Sequence, residues 1–369
     1  MKGKQIFYWL SVFFFLFAVG CNSGGEDEVI PDEGTGDDEE EVVGDRDVWS
    51  FDIKVMLDRK TFMAYLSSEK AVNDRLQQRF EEVRELYHGK AGITYFDADI
   101  EFVPFFDETC VYDCSSEEVF RNALSYRGDY PYLVIFDGCI GDFSDERVHS
   151  DWTGWGTETV CVFDNNKGGA DGGSSVYEIL SYYKTAECLA HELGHARGVP
   201  DIYAMEVTAN PVNGELFSPV TCIMNNCWGG TVWSEYAQLL INRNKDLVRG
   251  EEGFVPLEQP QYPEEVILKV TRNGEAVKYA TVNIYREAMY EYNIASTPAM
   301  VRTLGADGSV SLNPTTLFNA SYGGVGYGVL LIEVVDGSAK EYRMVPVYEV
   351  QIAYLKGETN EYTIEIEFE

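Results

Sequence analysis

The thirteen residues HELGHARGVPDIY, His191 to Tyr203, decide how the rest of the chain is read. If this stretch begins as a helix, His191 and His195 stand four residues apart on one face, one turn above the other. Two imidazoles are then placed to take one metal ion. Glu192, beside the first of them, reaches the ion's open position and can take a proton from water there. The apolar run Thr185 to Ala190 leads into the motif and predicts a buried helix, which should extend from Val176 to Arg197. Gly198 can adopt the left-handed conformation that ends a helix, and Pro200 forbids continuation. The chain must turn sharply, and Asp201 follows at once. A carboxylate returned toward the metal by that turn is a good third ligand. Zinc in a catalytic site wants three protein ligands and one open place. The chain has four histidines. The other two, His88 and His149, stand at no recognisable offset from the motif and read as surface residues.

HELGHARGVPD resembles the metzincin zinc motif, HExxHxxGxxH, with Asp201 in place of the third histidine. With Pro before the Asp and Tyr two residues after it, the variant is most similar to snapalysin-type bacterial metalloproteases. Metzincins also carry a methionine turn beneath the metal, and Thr221-Cys222-Ile223-Met224-Asn225-Asn226 looks like one. The resemblance implies that His191, His195 and Asp201 bind zinc, Glu192 is the general base and Met224 is the apolar floor. It implies an endopeptidase that pairs an extended peptide with the edge strand Thr159 to Phe163. Several metzincins place a Tyr two residues after the Met. That position is Asn226 here, and Tyr203 is the tyrosine that could serve instead.

Two other readings stay open. Glu235, in the helix after the methionine turn, could be the third ligand, as in thermolysin-like proteases. Alternatively the chain is a surface-tethered binding or adhesion protein on a protease-like fold, although nothing structural demands Glu192 beside His191.

The N-terminus carries Lys2 and Lys4, then the apolar run Ile6 to Val19. That run is short of the ~20 residues a membrane span needs, so residues 1–20 read as a secretory signal. Ala18-Val19-Gly20-Cys21 resembles a bacterial lipobox, which implies lipidation at Cys21 and a tether rather than a span. From Glu26 to Asp47 there are twelve acidic residues and one basic. Residues 21–46 therefore read as an extended, self-repelling linker. Acidic residues just after the cysteine resemble surface-export signals of Gram-negative lipoproteins, which implies an outer-membrane lipoprotein exposed at the cell surface. The net charge of -34 disfavours nucleic acid as a partner. A peptide or protein substrate and a monomer are expected.

The 369 residues suffice for two or three domains. Residues 47–250 predict an α+β, metzincin-like protease domain. Its strands are expected at Trp49 to Asp58, Ile93 to Phe106, Tyr132 to Phe136 and Thr159 to Phe163. One helix is expected from Thr61 to His88, and another from Thr231 to Val248. Residues 251–263, rich in Pro and Glu, read as a linker. Beyond it helix signals vanish, and residues 264–369 predict an all-β sandwich. Strands are expected at Val266 to Val270, Thr281 to Tyr285, Val329 to Val335, Tyr342 to Val350 and Tyr362 to Phe368, with a hairpin turn at Asn273-Gly274. The runs RNGEAVKYATVNIYRE and GADGSVSLNP look like the prealbumin-like modules appended to carboxypeptidases. Without Cys21, seven cysteines remain. In an exported chain disulfides are expected, with Cys110/Cys114 and Cys222/Cys227 as the natural candidates, Cys139/Cys161 able to pair then and the connectivity open, and with Cys188 a buried small hydrophobe. The loop Asp164 to Ser175 reads as a flexible turn, with calcium binding as the lesser alternative.

Overall fold

Strand β1 (Val48–Asp58) organises the first half of the molecule, and from Val55 onward it is buried on both faces. Such a strand belongs inside a parallel sheet. It pairs in parallel with β2 (Asp99–Phe105), β3 (Val111–Tyr112) and β4 (Tyr132–Asp137), and β4 pairs in parallel with β5 (Val160–Asp164). The order β2-β1-β4-β5 leaves β5 at one edge. This is a computed structural model, and it describes residues 47–88, 95–113, 126–137, 160–164, 185–225, 231–248, 251–252, 254, 262–287, 291–322 and 325–368. The leader with Cys21, the acidic segment to residue 46, His149, Asn226 and the loop at 165–175 lie outside the described residues.

The single helix expected from Thr61 to His88 is two. Helix α1 (Arg59–Ala64) is capped by Asp58, whose Oδ1 accepts from Thr61 N at 2.9 Å. Leu66 and Ser67 then take positive φ (57° and 51°) and end it. Ser68 Oγ accepts from Ala71 N as α2 (Glu69–His88) begins. The apolar series from Val72 to Tyr87 lies wholly within α2, so its periodicity carries no trace of the break upstream. That face packs on β2 and on α3 (Thr185–Ala196), the helix of the histidine motif. Tyr87 Oη donates to Ala190 O at 3.3 Å. The Tyr87 ring lies 4.7 Å from Trp233 and 5.5 Å from Phe102, a tight aromatic seam behind the motif helix. Helix α4 (Glu235–Asn244) starts on Ser234, whose side chain accepts from Ala237 N.

Strands dominate after residue 262. β6 (Glu265–Arg272) pairs with β7 (Glu275–Ala276) through Asn273 (φ 53°) and Gly274 (φ 78°). Both turn residues are left-handed, as the Asn-Gly dipeptide predicts. One sheet is completed by β8 (Thr281–Arg286) and β9 (Met300–Thr303), joined through β13 (Val329–Asp336) to β14 (Ala339–Pro346). The other places β10 (Ser309–Leu312) and β15 (Glu361–Phe368) on either side of β6, with β15 parallel to it. Between these runs lie a short helix, α5 (Pro314–Leu317), and the pair β11 (Asn319–Tyr322) and β12 (Val325–Tyr327).

The expectation that helices cease here fails at α6 (Val347–Leu355). Tyr342 to Val350 reads as one apolar strand, but Pro346 ends the ladder and its fixed φ suits entry into a helix. The buried residues Val347, Tyr348, Val350, Gln351 and Ala353 then follow helical spacing. Helix α6 lies on α4. Tyr236 Oη donates to Gln351 Oε1 at 2.6 Å, and Lys356 Nζ meets the Glu235 carboxylate at 2.6 Å. The chain is thus a mixture of helices and sheets, and residues from Asp45 to Glu369 form one unit.

Two expected disulfides do not form: Cys110 and Cys222 are buried free thiols. Cys110 Sγ lies 3.7 Å from Asp107 Oδ1 inside its own turn, and Cys222 Sγ accepts from Ser234 N at 3.3 Å. Cys114, Cys139 and Cys227 and the side chain of Cys161 lie outside the described residues. Cys188 is buried, as expected.

Candidate metal centre

The end of α3 builds the site. Gly198 has φ 95°. Its N–H reaches His195 O at 2.9 Å, and Val199 N reaches Gly194 O at 3.1 Å. This bonding pattern closes a helix on a left-handed residue, which glycine adopts without the steric cost a side chain would bring. Pro200 follows, and the chain returns so that Asp201 faces the two histidines. Asp201 Oδ1 lies 3.2 Å from His191 Nε2 and 3.1 Å from His195 Nε2. The imidazole rings stand almost perpendicular, 4.9 Å apart. Among the described residues this is the one group of three His, Cys, Asp or Glu side chains close enough to share an ion.

Both histidines are held from behind. His191 Nδ1 donates to Ile223 O at 2.9 Å, and His195 Nδ1 donates to Val199 O at 2.8 Å. A carbonyl can only accept, so each ring commits its Nδ1 proton and turns an Nε2 lone pair toward Asp201. Two lone pairs and a carboxylate oxygen therefore meet at one point, and that arrangement needs a cation, either a proton or a metal. The separations fit a metal. Ligand atoms bound at ~2.0–2.1 Å to a tetrahedral ion lie about 3.3 Å from each other, close to the distances seen. Two imidazoles and a carboxylate are also a donor set that suits zinc. In charge terms, burial works to raise the Asp201 pKa, but the two imidazoles outweigh it and hold the carboxyl well below its usual range. Burial likewise opposes charge on His195, and Asp201 overcomes it and raises the pKa.

Glu192 is buried next to the first ligand and acts electrostatically on His195. Tyr203 stacks on His191, with rings 6.4 Å apart and 17° from parallel. Burial first, and then its hydrogen bond to Asp201, push its phenol pKa up, so it stays protonated. Met224 is fully buried. Its segment works largely through backbone: Ile223 O holds His191, and Met224 O accepts from Ile202 N, the residue after Asp201, at 2.9 Å. Glu235, the alternative third ligand, is exposed on the first turn of α4 and ion-paired to Lys356. His88 stands apart, 3.8 Å from Asp99.

Sequence reasoning missed two supports. A Cβ on Gly194 would stand 2.6 Å from Met224 Sδ and 3.2 Å from the Trp233 ring, so glycine lets these two side chains press against α3 where any side chain would displace them. Glycine inside a helix costs about 1 kcal/mol relative to Ala, and its presence between the two histidines was the available signal. Arg197 is wholly buried. Its guanidinium donates to Tyr132 Oη at 3.2 Å and to the carbonyls of Lys245 and Leu247, and lies 4.6 Å over the Phe51 ring. Asn244 Nδ2 donates to Arg197 O at 2.7 Å. The turn that delivers Asp201 is thereby tied to the carbonyl-rich end of α4, where a cation is favoured. A lone Arg between an alanine and a glycine carries no mark of this in the sequence.

No protein-family model matches the chain, and no curated protein matches it. Among solved structures it is similar to the crystal structure of wild-type OgpA from Akkermansia muciniphila, at 12% identity and a TM-score of 0.32, over 81% of this chain and 93% of that one. A likeness of that depth decides nothing about the site, whose reading rests on its own geometry.

Proposed function

We propose that the protein is a zinc-dependent endopeptidase, tethered through a lipid on Cys21 to the bacterial outer membrane and acting on peptides or proteins at the cell surface. The observation that carries this reading is the convergence of His191 Nε2, His195 Nε2 and an Asp201 oxygen beside the buried Glu192. Zinc bound there would supply Lewis acidity and lower the pKa of a water at its open position. The chain's own residues do the rest. Ile223 O and Val199 O fix the histidine tautomers, and the Schellman turn at Gly198 fixes the carboxylate. Glu192 takes the proton from the attacking water on its carboxylate and passes it to the leaving amine. Tyr203, kept protonated, offers a donor near the reacting carbonyl.

The test is cleavage of a diverse peptide library by the purified protein beside Glu192→Ala, with metal content measured for both. Loss of a general base costs about 10²–10⁴-fold in rate. The expected result is cutting that falls by that factor while bound zinc is unchanged. Full activity in the variant would remove Glu192 from this role. No cutting by either protein, with zinc bound, would favour a binding protein built on the same site.

A further inference from the structure

Tyr292 belongs to the second half of the chain, yet its backbone is bonded to the segment that follows Asp201. Its carbonyl accepts from Thr208 N at 2.8 Å, from Ala209 N at 3.1 Å and from Thr208 Oγ1 at 3.1 Å. Ile294 N donates to Ala209 O at 2.9 Å, and Asn293 bridges Ala209 in parallel. The chain that has just delivered Asp201 is therefore stitched, seven residues on, to the segment 291–295. On the other side, the Tyr292 backbone amide bonds the carboxyl of Glu287, which sits wholly buried at the end of β8.

Held from both sides, Tyr292 is forced to φ 55°. A bulky residue is a genuine outlier there. Such strain persists only where the surroundings over-determine it, and it concentrates at ligand-contacting positions. The ring that results is half-exposed, and its phenol lies within electrostatic reach of Asp201, Glu206 and Tyr203. The backbone carries the joint, and the half-exposed side chain is left free to face solvent within the electrostatic reach of Glu206 and Asp201.

We propose that segment 291–295 places Tyr292 as a wall of the peptide-binding cleft, so that the second half of the chain supplies a specificity-determining residue to the metal centre of the first. The inference rests on the endopeptidase reading. With Glu206 next to it, the wall presents an aromatic face and a negative charge, which favours peptides carrying Lys or Arg near the scissile bond over those carrying Asp or Glu.

The experiment compares wild type, Tyr292→Ala and Tyr292→Phe as full-length proteins. Zinc content and Tm check integrity, and kcat and KM are measured on matched peptides bearing Lys or Glu near the cut. Binding of the same peptides to Glu192→Ala, with and without Tyr292→Ala, gives a readout that needs no turnover. Because the backbone bonds survive, zinc content and Tm should hold. KM and the binding constant for the Lys peptide should rise about tenfold, the scale of one lost contact in a desolvated pocket. The preference over the Glu peptide should shrink while kcat stays within about twofold, and Tyr292→Phe should keep most of the binding. If Tyr292→Ala is folded and its KM, binding constants and preference match wild type, Tyr292 is a packing residue and the proposal fails alone. If wild type cuts nothing, the endopeptidase reading fails and takes this one with it.

Discussion

Asp201 in the first half of the molecule and Glu333 in the second are carboxylates largely withdrawn from solvent, and their surroundings are opposite in kind. Glu333 lies on β13, directly across from Asn283 on β8 and Tyr342 on β14. Its Oε1 accepts from Lys340 Nζ at 2.7 Å and Tyr342 Oη at 3.0 Å, and its Oε2 from Asn283 Nδ2 at 2.8 Å and Tyr285 Oη at 2.9 Å. Every one of these neighbours is a donor. Burial raises its pKa, but the donors win and bring it to about 2. Around Asp201 two imidazole Nε2 atoms converge on one oxygen, from rings that have given their Nδ1 protons to carbonyls, and the Tyr203 phenol is a further neighbour. A carboxylate met by donors is complete in itself. One shared by two imidazole Nε2 atoms is placed to hold a cation with them, and that is the physical difference between a structural network and a candidate metal centre.

The sharpest way to break this contrast is to remove Asp201. Asp201→Ala should weaken zinc binding by more than the 10–100-fold seen for losing an outer-shell partner, read by chelator competition. Glu235→Ala should leave it unchanged. If Asp201→Ala keeps zinc as tightly as wild type while Glu235→Ala loses it, the exposed Glu235 has moved to the ion and the geometry described here is not the binding geometry.

Much of the first half was legible because its signals are local. Histidines four apart, a glycine that ends a helix, a proline and an aspartate specify the turn within eleven residues, and the structure brings the three side chains together. The paired helices α1 and α2 were not legible, because their break lies outside the periodic stretch. Neither was α6, because β-branched and aromatic residues favour strands until tertiary packing decides otherwise. The supports of the site were hidden for another reason. Ile223 O, Val199 O, Arg197 and Tyr292 act through backbone groups or over separations of 32 to 50 residues and more, and no spacing rule reaches that far. The expected disulfides at Cys110 and Cys222 do not form, since closeness of two cysteines in sequence does not by itself set bridging geometry.

A third carboxylate lies between the two extremes. Glu287 is fully buried and bonds only the backbone amides of Val329, at 3.2 Å, and Tyr292. Gly328 (φ 96°) makes room for it, since a Cβ there would stand 2.6 Å from Oε2. Two neutral donors do not offset its burial, and its pKa is pushed up to about 8 from the ordinary 4.5. The folded chain therefore binds a proton that the unfolded chain has released between those values. Its contribution is whole below about pH 4.5 and is lost as pH rises toward 8. Glu287→Gln keeps a neutral acceptor at every pH. The variant should match wild type near pH 4.5 and be more stable by roughly 4 kcal/mol at pH 8, measured by urea denaturation across the range. A stability difference that does not change with pH would mean Glu287 is ionised in the folded protein.

Glu333 should give the smallest effect and the opposite sign. Its folded pKa is depressed, so its stabilisation is present above the ordinary 4.5 and is lost as pH falls through about 2. Glu333→Gln turns one acceptor oxygen into a donor and sets it against two of the four groups that now donate. Lys340 is half in solvent and can turn away to water, which limits the loss. The expected cost is about 1 kcal/mol at pH 7, shrinking as pH falls below 4.5 because the wild type weakens while the variant does not. Zinc affinity and peptide cleavage should be untouched, since the network has its own donors and shares none with the metal centre. A Glu333→Gln protein that is equally stable at both ends of the pH range would mean that the tyrosines and Asn283 re-pair among themselves, so that the carboxylate fills space rather than organising the sheet.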